Sequence, residues 1–67
     1  MFRIFADICR QKFAFYGFPA CPLSNDELRA IWKAGGSTDC AYSIGCDVNA
    51  GFSFAESMEA AGYGVAA

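Results

Sequence analysis

The chain has 67 residues and a mass of 7.2 kDa; 55% of its residues are hydrophobic, 18% are charged, and the formal net charge is −2. That leaves room for a single small domain, residues 1–67, and excludes a disordered tail, a histone-like basic binder and a heavily charged DNA mimic. Histidine is absent, which removes the commonest general base and the commonest zinc ligand.

Glycine divides the chain into segments that read as helices, because a glycine just past a helix end takes positive φ without a Cβ penalty. Gly17, Gly35, Gly51 and Gly62 each follow such a segment. The first predicted helix covers about 3–16, where Phe2, Phe5, Cys9, Phe13 and Tyr16 recur at helical spacing and Ile4 and Ile8 widen the stripe. Pro19 and Pro22 then prevent continuation through the connector. The second, at 25–34, carries the clearest local signal: Ser24 and Glu27 spell a capping box, and Leu23 and Leu28 stand where a hydrophobic staple forms. Leu28, Ile31 and Trp32 make its apolar stripe.

Residues 38–50 satisfy two patterns. Cys40, Tyr42, Ile44, Cys46 and Val48 alternate as in a strand, while Cys40, Ala41, Ile44 and Val48 share a helical face. Ser37, Thr38 and Asp39 offer N-caps and Gly51 a stop, so helix is preferred despite about 1 kcal/mol lost at Gly45. Ser53 and Glu56 repeat the capping-box spelling before a last short helix at 54–61, with Phe54, Met58 and Ala61 as its stripe. Residues 63–67 read as a frayed end. The predicted fold is all-α, a small bundle of three to four short helices; the alternative is α+β with a short strand at 40–48.

Four cysteines, Cys9, Cys21, Cys40 and Cys46, admit two disulfides only in an oxidising compartment. The first ten residues are interrupted by Arg3, Asp7 and Arg10 and contain no signal-peptide apolar core. A cytoplasmic location with free, buried thiols is therefore expected. No apolar run approaches the ~20 residues of a membrane span, and no close cysteine pair suggests zinc. No metal, cofactor or membrane association is expected.

Charge is divided unevenly. Residues 1–33 hold all five basic groups and three acids, net +2, whereas 34–67 hold no base and four acids, net −4. Aromatic residues number eleven against eight of Leu, Ile and Val, more than one small core comfortably encloses. The surplus predicts a partner surface or a homo-oligomer contact. Catalysis is not expected: there is no histidine base, no nucleophile elbow and no phosphate loop, and Ser24 and Ser53 read as caps. The two middle helices have the outline of a helix-turn-helix, yet the candidate recognition helix lacks Arg and Lys and carries Asp39 and Asp47. Direct nucleic-acid binding is therefore the alternative reading only. The preferred one is a protein–protein interaction module docking a basic protein through Asp39, Tyr42, Asp47, Phe52, Glu56 and Glu59, with Phe54 and Tyr63 as further candidate anchors.

Residues 32–56, WKAGGSTDCAYSIGCDVNAGFSFAE, resemble small accessory proteins of conjugative plasmids and phages. The resemblance carries no catalytic motif; it implies a mobile-element-encoded inhibitor of host defence or nucleic-acid-binding machinery, of the antirestriction or anti-CRISPR type. The end at Ala66 and Ala67 resembles termini read by bacterial ATP-dependent proteases.

Overall fold

Three serines decide where three of the four helices begin in the computed structural model, which describes residues 1–63. The architecture is all-α, in the order α1 (Phe2–Phe15), α2 (Asn25–Lys33), α3 (Thr38–Asn49) and α4 (Phe54–Ala60). The Ser24 hydroxyl accepts from the Glu27 amide at 3.2 Å, and a Glu27 carboxylate oxygen accepts from the Ser24 amide at 2.9 Å. Ser53 and Glu56 repeat the exchange at 3.1 and 3.0 Å, and Ser37 accepts from the Cys40 amide at 3.2 Å. Each serine satisfies a donor that the helix itself cannot, a contribution of about 1 kcal/mol. By contrast, α1 has no side-chain cap and no acid in its first turn. Its helicity rests on length and packing.

The four helices end alike, at Gly17, Gly35, Gly51 and Gly62, whose φ values lie between 84° and 111°. The amide after each glycine reaches back to an inner carbonyl: Phe18 to Phe13 at 3.0 Å, Gly36 to Ile31 at 2.9 Å, Phe52 to Asp47 at 3.1 Å and Tyr63 to Met58 at 2.9 Å. These are Schellman endings, in which the residue after the glycine commonly packs on the side chain at that inner position. Phe18 meets Phe13 edge-on, with ring centroids 5.2 Å apart. Met58 is the corresponding residue for Tyr63. Behind α3 the pairing differs, because Phe52 has Asp47 there.

The pattern at 40–48 that would also suit a strand is helical, within α3, and the described residues contain no strand. Helix α3 packs against each of the other three, while α1 also lies on α2. Their shared core is Ala6, Cys9, Phe13, Leu23, Leu28, Ile31, Ala41, Ile44 and Met58. At its centre the Phe13 ring lies across Gly45, where an added Cβ would stand 2.1 Å from Cζ. The glycine that weakens α3 as an isolated helix is the residue that lets α1 approach it.

On α1 the core takes Ala6, Cys9 and Phe13, with Phe2 and Phe5 partly buried against it. Tyr16 and both isoleucines, which the spacing grouped with the core stripe, are exposed. At about 100° per residue the apolar positions of α1 span roughly 200° of its circumference, about twice what the Leu28, Ile31 and Trp32 stripe of α2 covers. Trp32, grouped by spacing with Leu28 and Ile31, is exposed instead, its ring 5.7 Å from Phe2, and Arg29 lies 4.3 Å from the Phe2 ring centroid. Ala61 is exposed, whereas the neighbouring Ser57 is buried and donates to the Ser53 carbonyl at 2.9 Å. Residues 64–67, where the frayed end and the protease-recognised terminus were expected, lie outside the described residues. No helix among the described residues is long and apolar enough to cross a membrane.

Candidate functional site

The six residues expected to bind a partner fall into two groups. Asp39, in the first turn of α3, is engaged from across the bundle by Lys12 of α1, as both ion pair and hydrogen bond. That hydrogen bond holds the Lys12 ammonium protonated above the ordinary lysine range. Tyr42 is half-buried in an aromatic cluster, with ring centroids 4.7 Å from Tyr16, 5.1 Å from Phe13 and 6.1 Å from Phe18. A hydrogen bond with Cys46 raises the Tyr42 phenol pKa. Both residues tie helices together.

The other group gathers where α3 turns into α4. Asp47, Phe52 and Glu56, with Ser57 and Ala60, line a hollow of about 140 Å³. Glu59 is exposed on α4 beside it, three positions beyond Glu56, but does not line the hollow. Phe52 is 57% exposed. Its place after the α3 stop explains why: with Asp47 rather than an apolar side chain at the inner position, the ring gains no buried partner there. Of the four aromatic anchor candidates, Phe54 packs against the core, Tyr42 and Tyr63 are partly buried, and Phe52 alone stands out.

The electrostatics of this corner are one-sided. Asp47 sits in the last turn of α3, which contains no basic residue, at the negative end of the helix dipole. Glu56 gives one carboxylate oxygen to the Ser53 amide, and this capping lowers its pKa, keeping it ionised. An aromatic wall flanked by two carboxylates suits a cationic group on an apolar stem, as in Lys or Arg.

The thiols do not converge. Cys9 is buried and its pKa is pushed up to about 11, chiefly by that burial. Cys21, Cys40 and Cys46 are only partly buried, a correction to the expectation that all four thiols are interior. Tyr63 donates its hydroxyl proton to Cys40 Sγ at 3.3 Å, which lowers the Cys40 pKa and raises that of Tyr63. Among the described residues no three Cys, Asp or Glu side chains are grouped so as to hold a metal ion.

A second surface escaped the residue-by-residue reading. Ile8, Gln11, Lys12, Phe15 and Tyr16 border an open groove of about 420 Å³ on α1. The sequence signal was present, since Met1, Ile4, Ile8 and Phe15 form a helical stripe of their own beside the one that faces the core. No protein-family model, curated protein or solved structure matches the chain.

Proposed function

We propose that the chain is a non-enzymatic protein–protein interaction module that docks a basic protein at the α3–α4 corner. Phe52 is the anchor, Asp47 and Glu56 engage a cationic side chain, and Glu59 contributes to the charged rim. The observation that carries this reading is the exposed Phe52 ring sharing the hollow with Asp47, at the one aromatic-closed helix end among the described residues where the inner residue is charged. A helix closed by an aromatic residue over a charged rather than an apolar inner position departs from the local pattern, and such departures tend to mark functional positions. Asp39 and Tyr42 drop out of the contact set, because Lys12 and the aromatic cluster already engage them.

The resemblance of residues 32–56 to accessory proteins of plasmids and phages supports a particular role: a mobile-element-encoded inhibitor, acting in the cytoplasm, of a host defence or nucleic-acid-binding protein. Such targets display cationic grooves, and an acidic, aromatic corner complements them. Direct nucleic-acid binding is less well supported, since α3 offers phosphate two carboxylates and no cation.

The test is affinity capture from a bacterial lysate with wild-type and Phe52→Ala baits, at low and high salt. The expected result is one basic protein, retained at low salt, weakened by high salt and lost with Phe52→Ala by about thirtyfold in affinity. Retention of the same protein by Phe52→Ala and by an Asp47→Lys, Glu56→Lys double variant would refute the assignment.

A further inference from the structure

We infer that the outer face of α1 is a self-association surface that takes the α1 of a second copy of this chain, running antiparallel. Met1, Ile4, Ile8 and Phe15 are 89%, 61%, 43% and 82% exposed, and Tyr16 is 57% exposed. With Gln11 included, the first four recur at alternating intervals of three and four residues, the spacing of a helix–helix seam. The Phe15 and Tyr16 rings meet edge-on with centroids 5.3 Å apart, and both border the groove that continues past Ile8. At about 200 Å² per large side chain, the exposed parts of these five amount to roughly 650 Å². Monomers seldom leave an apolar patch above about 600 Å². A standard interface takes about 800 Å² from each partner, so this face with the exposed Gln11 comes near the lower end of that class.

The face fits itself. Centring a two-fold axis between Cys9 and Arg10 sets Ile4 against Phe15 of the second copy and Ile8 against its Gln11, each contact occurring twice, as an isologous interface requires. A single polar position in such a seam fixes register at some cost in stability. Charge agrees with this orientation. Asp7 and Arg10 lie 3.5 Å apart along one edge of the stripe, both about half exposed. The antiparallel arrangement brings Arg10 of the other copy, on the same edge, within two positions of the level of each Asp7, and also opposes the two helix dipoles. A parallel arrangement would instead align the two helix dipoles. This face is separate from the α3–α4 hollow, and neither assignment depends on the other.

Sedimentation equilibrium of the full chain from micromolar to millimolar concentration tests the inference. The expected mass rises from 7.2 kDa to twice that value. Phe15→Glu, at a position with no core role, and Ile8→Glu should both hold it at 7.2 kDa with an unchanged helical circular-dichroism signal. Asp7→Arg should weaken association about tenfold, and adding Arg10→Asp should restore it. A wild-type chain that stays monomeric throughout, or a dimer indifferent to Phe15→Glu, overturns the inference. So does a monomer that binds phosphatidylglycerol vesicles through Phe15, which would make a lipid surface the occupant. Failure of the Asp7–Arg10 exchange to restore association overturns the antiparallel register.

Discussion

The first helix and the α3–α4 corner are built by different means and present opposite surfaces. Helix α1 is long, uncapped and apolar around much of its circumference, with the charged residues Arg3, Asp7 and Arg10 on its polar side. The corner consists of short, well-capped helix ends carrying carboxylates and one exposed ring. Local signals define the second region nearly completely. The first acquires its inside and outside only when α2 and α3 pack against it. In a domain this small, a second apolar face on an element held by tertiary contacts marks a candidate interaction surface.

The sharpest way to break this contrast is at the contact that gives α1 its inner face. Phe13→Ala should cost about 4 kcal/mol in urea unfolding, a large share of the total stability of a chain this size. Gly45→Ala should cost about 2 kcal/mol, although alanine is the better helix former, because the Phe13 ring fills the space its methyl group needs. Were Gly45→Ala stabilising instead, the α1–α3 crossing described here would be wrong.

Titration probes the same inner face. The buried Cys9 thiol ionises at about 11, against 9.0 for an ordinary thiol. Between those values the folded chain keeps a Cys9 proton that the unfolded chain releases, so this thiol's contribution to stability falls as pH rises from 9 to 11 and is level below. This thiol's share of the loss is up to about 3 kcal/mol, and Cys9→Ala should make the fall shallower by that amount.

Capping distinguishes the corner from α1 more gently. Ser53→Ala and Ser24→Ala should each cost about 1 kcal/mol in thermal or urea unfolding. Their equivalence would show that both boxes act locally. Arg3→Glu, which places a carboxylate in the acid-free first turn of α1, should stabilise by about 0.5 kcal/mol at low salt, and less as salt is added.

The helix starts at Ser24, Ser37 and Ser53 and the stops at four glycines were legible because caps act over three or four residues of chain. The limits of the buried face of α1 were not. The spacing of Phe2, Phe5, Cys9 and Phe13 picks out the inner stripe, but not its limits: Ile4, Ile8 and Tyr16, grouped with it by spacing, stay exposed once Phe13 seats on Gly45. Likewise the pairing of Asp39 was hidden because its cation, Lys12, lies 27 residues away in the chain, although the carboxylate itself stays 85% exposed. Tyr42 looked like an anchor because a stacked ring and a presented ring have the same spelling. Phe52 could be recognised, since the residue after a helix-stopping glycine and the charged residue five positions before it are both visible in the sequence.

The most direct test of the two-surface account is a single series of nitrogen-15 spectra of the labelled full chain. Dilution should move the amides of Ile4, Ile8 and Phe15, and a captured basic partner should move those of Asp47, Phe52 and Glu56. Perturbations from dilution and from partner that fall on the same residues would contradict it.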